Sequence, residues 1–192
     1  MASLTPERIG QLLADYYPNS TSVMQHQLST YLDLLLKWNA RTNLTAIRDP
    51  EEIVRRHFGE SLFLAAELPT ASTLLDLGSG AGFPGLPIQL AFPEMKVVLA
   101  ESQHKKASFL REAVRTLGLP TEVWGDRIEK MPAERRFDVV ALRAVDNPEE
   151  ALLLAAERVM PGGVIAHLTG GPVGEGKWLL VPGSRQSFVR LI

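Results

Sequence analysis

Hydrophobic residues in the first seventy positions recur every three or four residues. Leu4, Ile9, Leu12, Leu13, Tyr16 and Tyr17 form one such run, closed by Pro18, and Met24, Leu28, Tyr31, Leu32, Leu35 and Trp38 form a second. This spacing stacks apolar side chains along one side of an α-helix. A third run opens with Asp49 as N-cap, Pro50 at the first helical position and Glu52 as capping-box partner. Its apolar face continues through Ile53, Phe58, Leu62 and Ala66. Near residue 72 the pattern changes. Strand-length apolar runs at 73–77, 96–100, 121–124, 137–142 and 163–168 alternate with helix-patterned stretches at 85–92, 104–117, 127–131 and 148–159. Near-continuous apolar strands alternating with helices predict a parallel sheet covered on both faces, the doubly wound α/β class. Residues 178–181 and 186–192 read as a closing antiparallel pair, and the Gly-rich stretch 170–177 as a mobile loop. The expected organisation is a helical extension, 1–70, packed on a core, 71–192, in one compact domain.

Charge and composition narrow the function. The formal net charge is -2, so a polyanionic partner must be held by a local basic patch. The chain contains no cysteine, which excludes disulfides, thiol catalysis and cysteine-ligated metal, and no metal is expected. The opening MASLTPERIG has no basic region leading into an apolar run, and no apolar stretch approaches the ~20 residues that span a bilayer. A cytoplasmic protein without membrane contact is expected.

The segment 74–87, LLDLGSGAGFPGLP, carries the most chemistry. A strand runs into Gly78, Gly80 and Gly82 with a helix to follow, so the backbone can turn sharply and approach a ligand at the carboxyl end of the sheet. Nicotinamide, flavin and adenosylmethionine enzymes all use such a turn. Asp76, just before the glycines, would repel a pyrophosphate and attract the ammonium or sulfonium of adenosylmethionine. Pro84 and Pro87 remove amide donors where a phosphate needs them. The competing reading of Asp76 is a turn cap. Glu101 closes the second strand, placed for ribose hydroxyls. Gly125, Asp126, Arg127, Ile128 and Glu129 follow the third strand, where adenine would lie. Arg143 ends the fourth, near the methionine end or the acceptor. Met160-Pro161-Gly162-Gly163 reads as a turn feeding the fifth strand.

With these features in place, the chain resembles the small-subunit (16S) ribosomal RNA guanine-N7 methyltransferases, the glucose-inhibited division protein B family. The resemblance runs from about residue 25 to the C-terminus. It rests on LLKWNARTNLTAIRDP (35–50), RHFGES (56–61), DLGSGAGFPGLPI (76–88), ESQHKKASFLRE (101–112), DRIEKMP (126–132) and LRAV (142–145). It implies a mostly parallel, seven-stranded methyltransferase sheet with an N-terminal helical extension, S-adenosyl-L-methionine as methyl donor and a ribosomal RNA guanine as acceptor. By position it implies cofactor contacts at Gly78, Phe83, Ile128, Glu129 and Arg143, and a basic, RNA-facing stretch at Lys105 and Lys106. Where relatives carry Lys-Gly after the fifth strand, this chain has Thr169-Gly170, and its segment before the final pair is short.

Apart from the family, the chemistry is permissive. Pyrimidine C5 methylation needs a cysteine, and Asp146-Asn147-Pro148 is an incomplete match to the turn used for amino-group methylation, better read as a helix cap. Guanine N7 has a free in-plane lone pair, so no catalytic acid or base is expected, and Arg143 would serve in positioning. Phe83 suits either base stacking or core packing. His57 reads as a structural histidine, and Trp38 with Asn39 as anchors of the N-terminal helices on the sheet. The further cations Arg41, Arg48, Arg55, Arg56, Arg111 and Arg115 are either an RNA surface or scattered solubilising charges. Expected partners are ribosomal RNA, within the small subunit or an assembly intermediate, for a monomeric enzyme. The alternatives are a protein or small-molecule methyltransferase, a non-catalytic scaffold binding adenosylmethionine or RNA, and, more remotely, a nicotinamide enzyme.

Overall fold

The structure, a computed structural model, describes residues 3–144, 147–172, 178–184 and 186–192. Its chain order is α1 (Pro6–Leu13), α2 (Ser22–Thr42), α3 (Pro50–Ile53), α4 (Glu60–Glu67), β1 (Thr73–Leu77), α5 (Gly85–Ala91), β2 (Lys96–Ala100), α6 (His104–Leu117), β3 (Glu122–Trp124), β4 (Phe137–Arg143), α7 (Pro148–Arg158), β5 (Val159–Thr169), β6 (Leu179–Leu180) and β7 (Phe188–Leu191). The strands form one seven-stranded sheet in the order β3-β2-β1-β4-β5-β7-β6. β1 to β5 are parallel, and β7 runs antiparallel to both β5 and β6. The expected doubly wound sheet and its closing antiparallel pair are both present. Most of the Gly-rich loop expectation, residues 173–177, lies outside the described residues, as do Val145 and Asp146.

Period-two alternation explains why the sheet has two distinct faces. Leu74, Val97, Leu99, Val139, Ala141, Ala166 and Leu168 point into one core with the buried residues of α1, α2 and α4 to α6. Their neighbours Leu75, Val98, Ala100, Val140, Leu142 and Ile165 point into a smaller core with α7, Ile128 and Met131. The larger core is continuous from the N-terminal helices into the sheet. Among the described residues no helix is long and apolar enough to cross a membrane.

Local chemistry starts the helices where the sequence places them. Thr5, Thr21 and Asp49 accept from the amides of Arg8, Met24 and Glu52 at 3.2, 3.2 and 2.8 Å. The third run departs from a plain α-helix: between α3 and α4 the residues Val54–Gly59 form a π-helical segment. The apolar positions Ile53 and Phe58 are five apart, a step that a 3.6-residue turn does not align and a wider turn does. Two further expectations need correction. The stretch 127–131 forms only a three-residue 3-10 turn, Ile128–Lys130, whose Ile128 carbonyl accepts from the buried Arg158 at 3.0 Å. The MPGG segment is no separate turn. It lies inside β5 as an irregularity, where the register with β4 shifts between Phe137–Val159 and Val139–Val164.

The glycine loop is pinned to the N-terminal helices by α2, whose buried Tyr31 hydroxyl donates to the Ala81 carbonyl. Gly82 sits beneath this contact with φ of 89°, and an added Cβ would come within 2.5 Å of the Leu86 side chain and 2.7 Å of the Tyr31 hydroxyl. Gly82→Ala combines backbone strain with overpacking and is expected to cost about 2–4 kcal/mol, measured by chemical denaturation. Gly78→Ala, which meets nothing within 4 Å, is expected to cost only the strain of its positive φ, about 1–2 kcal/mol.

Candidate functional site

β1 ends at Leu77 beside the end of β2, and the glycine loop folds back over that edge. The Ala100 carbonyl accepts from the Gly78 and Ser79 amides, both at 3.0 Å, while the Gly82 and Phe83 amides close on the Ser79 carbonyl at 2.7 and 3.1 Å. Positive φ at Gly78 (75°), Gly80 (57°) and Gly82 (89°) makes this path available to glycine and costly to other residues. The glycines divide by surroundings. A Cβ on Gly78 meets open space and one on Gly80 meets only the Gly78 carbonyl at 3.9 Å, whereas Gly82 and Gly85 are packed. Backbone can therefore touch a ligand at Gly78 and Gly80, and the third glycine serves the core.

Gly78 lies on the wall of a cleft of ≈ 640 Å³ at the carboxyl edge of the sheet. Of the sequence-predicted residues, Gly78, Glu101, Arg127, Ile128 and Glu129 line it together. Glu101 is buried and held: Oε2 accepts from the Gly80 amide at 3.0 Å and Oε1 from the Gln103 amide at 2.8 Å. Each oxygen keeps lone-pair capacity for a further donor. Asp126 and Glu150 also face this space. Asp126 binds Lys130 at 2.9 Å, which lowers its pKa. Four carboxylates against Arg127 and this paired lysine make a cleft hostile to phosphate and suited to a cation bearing hydroxyls. Glu150 escaped the sequence reading. The signal was present in Asn147-Pro148, since a helix capped there by Asn147 (3.4 Å to the Glu150 amide) starts at the sheet's carboxyl edge and carries its first-turn acids with it.

The other predicted residues lie behind the loop. Asp76 is fully buried, with Oδ2 accepting from the Gly85 amide at 2.9 Å and Oδ1 without a partner. The turn-cap role is thus real, and one oxygen remains for a donor. Phe83 does not line the cleft. It is packed among His57 (4.7 Å between ring centroids), Tyr31 (5.5 Å) and Phe58 (5.8 Å), with the Arg143 guanidinium 5.7 Å above it. Arg143 turns toward the N-terminal helices: it donates to the Arg56 carbonyl at 2.6 Å and the His57 carbonyl at 3.4 Å, and binds the Glu60 carboxylate at 2.8 Å. Glu60 is itself 2% exposed and also meets Arg56 and Ser187. Sequence reasoning missed it, although a lone Glu between Phe58 and Leu62 on an apolar face marks a buried charge. Lys105 and Lys106 occupy the first turn of α6 just past Glu101, exposed and half-buried respectively. Trp38 does anchor α2, through Glu112 of α6 at 3.2 Å, but Asn39 instead braces its own loop at Thr45 and Ile47.

Two buried groups behind the loop titrate in opposite senses. Burial pushes the Asp76 carboxyl up to about 7, and burial with the nearby Arg143 and Arg56 charges pushes His57 down to about 3. Between pH 4 and 6.5 the native Asp76 holds a proton that the unfolded chain has lost, so stability falls as pH rises. Over the same window the unfolded His57 binds a proton that the native ring refuses, so stability rises. Each slope is about 1.4 kcal/mol per pH unit, and they nearly cancel. Asp76→Asn is expected to uncover the rising slope of His57, to which His167, lowered by burial and by Arg190, adds in the same sense. Stability then climbs from pH 4 to 6.5 in urea titrations, whereas a flat profile would contradict these assignments.

Comparison with known proteins adds to this geometry. The model of a family described as rRNA small subunit methyltransferase G matches residues 24–174. The chain is 38% identical over 169 residues to the ribosomal RNA small subunit methyltransferase G of Chromobacterium violaceum, covering 88% of this chain and 81% of that protein. The protein of the same name from Myxococcus xanthus is 42% identical over 76% of this chain and 69% of its own length. Among solved structures, MtNAS in complex with MTA and tNA superposes with a TM-score of 0.59 at 17% identity, over 88% of this chain and 73% of that one. The Pyrococcus horikoshii TYW2 structure with MeSAdo gives 0.52 at 19% identity, over 59% and 44%. These two share the fold.

Proposed function

The chain belongs to the rRNA small subunit methyltransferase G family, and on that premise we propose that it methylates N7 of a guanine in small-subunit (16S) ribosomal RNA, with S-adenosylmethionine as donor. The observation that carries the reading is the acidic cleft beside an open glycine turn, at the edge where the sheet's strands end. Such a site accepts a cation with a ribose and rejects a pyrophosphate, which also speaks against a nicotinamide enzyme.

The chain's own groups fit the donor. Glu101, fixed by two amides, would accept from the vicinal ribose hydroxyls with the remaining capacity of its oxygens. Ile128 offers an apolar wall for adenine beside Arg127 and Glu129. Gly78 and Gly80 admit the close approach of the methionine portion, while Asp76 braces the loop from behind through the Gly85 amide. When bound, S-adenosylmethionine supplies an electrophilic methyl group on a sulfonium that leaves as a neutral thioether. Arg143, Phe83 and Gly82 act at one remove, fixing the loop against the helices. N7 attacks with a lone pair it already has, so the protein need only align the base and exclude competing groups. His57 agrees with this: neutral, buried and stacked on Phe83, it is not placed to move protons at the cleft. The reading takes the RNA to be presented in the small subunit or an assembly intermediate to a monomeric enzyme in the cytoplasm.

Labelled methyl transfer from S-adenosylmethionine to small subunits lacking the modification, followed by nucleoside analysis, tests the proposal. A single 7-methylguanosine is expected. Label in another nucleoside would move the acceptor, and failure to bind S-adenosylmethionine would end the reading. Glu101→Ala is expected to weaken S-adenosylmethionine binding tenfold to roughly a hundredfold in calorimetry, the range for charge-assisted hydrogen bonds of about 1.5–3 kcal/mol. Unchanged affinity would remove Glu101 from the site.

A further inference from the structure

The cleft that suits the donor is acidic, so the phosphates of an RNA substrate must be held elsewhere. The chain as a whole offers no general attraction, with 20 Lys and Arg against 22 Asp and Glu. Among the described residues six cations, Arg143 among them, are paired to carboxylates within 3.0 Å. A different group is left over on one face.

α2 packs against α6, with Gln27 donating to the Leu117 carbonyl at 3.3 Å near one end and Trp38 bonded to Glu112 at 3.2 Å further along. The helices therefore run antiparallel, and the C-terminal end of α2 lies toward the start of α6, beside the cleft. Two adjoining hollows open on this face and share Trp38: one of ≈ 160 Å³ with Lys37 and Arg41, one of ≈ 440 Å³ with Arg111 and Arg115. All four cations are exposed, as is Lys105 nearer the cleft, and none of the five forms an ion pair among the described residues. The carboxylate on the lining of these hollows, Glu112, is engaged by the Trp38 N–H. From Lys105 to Arg115 the helix covers about 15 Å, room for a short run of nucleotides. Trp38 is half-buried and held by Glu112 and by edge contact with Phe109 at 5.7 Å, so its ring is ordered before any ligand arrives.

We propose that the α2–α6 face, with Lys37, Arg41, Lys105, Arg111 and Arg115 around Trp38, binds an unpaired segment of the RNA substrate flanking the target base. The cations hold phosphates, and the indole offers a stacking surface to one base. An aromatic ring among unpaired cations is the pairing that single strands use. The inference rests on the RNA-substrate reading above.

The test compares the intact chain with a Lys37→Gln/Arg41→Gln/Arg115→Gln variant. Binding to protein-free 16S ribosomal RNA is followed across a salt series, with S-adenosylmethionine affinity measured in parallel. All three changes are at exposed side chains, so unaltered S-adenosylmethionine binding will report an intact fold. Removing three phosphate contacts is expected to lower RNA affinity tenfold to roughly a hundredfold near 0.1 M salt and to flatten the log–log salt slope by about 2. Tryptophan emission is expected to be quenched by RNA in the intact chain and unquenched in Trp38→Phe. Equal affinity and slope in the variant would overturn the proposal. So would normal binding of free RNA with loss of methylation only on assembled subunits, which would make the occupant a ribosomal protein. If the intact chain binds S-adenosylmethionine but neither protein-free RNA nor small subunits, the substrate reading falls and this surface with it. If the intact chain binds RNA and the variant binds it with the same affinity and slope, the substrate reading stands and the surface alone is wrong.

Discussion

The Glu60 carboxylate joins three segments that are far apart in sequence. It meets Arg143 at the end of β4, Arg56 of the π-helical segment and Ser187 just before β7. A charge buried to this degree costs several kcal/mol in desolvation, and only a full set of partners offsets it. The pairing is therefore conditional on the sheet's centre, the N-terminal helices and the C-terminal strands arriving together. Its π-helical neighbours contribute as well, since the Arg56 and His57 carbonyls accept the rest of the guanidinium. With Arg143 so fixed, Phe83 is clamped beneath it, and the glycine loop takes its position from Phe83 on one side and Tyr31 on the other.

That arrangement gives the loop two different faces. Gly82 and Phe83 are immobilised in the larger core, while Gly78 and Gly80 border open space. A ligand-binding turn held by packing on its reverse side is pre-organised, and little ordering remains to be done on binding. The N-terminal helices are thus part of the candidate site in a mechanical sense although none of their described side chains lines the cleft. The same helices present the unpaired cations beside α6. On the proposed reading, the acidic cleft serves the cationic donor and the basic face next to it the polyanionic acceptor.

Much of this was legible along the chain. β1, β2 and α6 occupy the residues their patterns predict, because a strand buried on both faces and a capped amphipathic helix are written in neighbouring positions. Glu101, Arg127, Ile128 and Glu129 share the cleft because strand ends in a parallel sheet gather at one edge. The failures were local patterns overruled by partners. MPGG became part of β5 rather than a turn because pairing with β4 continues past it. The stretch 127–131 is too short for a helix and was settled by Arg158 reaching the Ile128 carbonyl and, just past the stretch, that of Pro132.

The sequence by itself determined the alternation of strands and helices, the glycine turn and the acids at the strand ends, since each depends on residues within a turn or a strand of one another. Only the tertiary structure decided which glycines face a ligand, that Phe83 and Arg143 look inward, and that Glu60 is the charge that holds them. Those outcomes rest on contacts across 83 and 127 positions, which no local periodicity encodes. The desolvation of a buried charge is a property of everything around it.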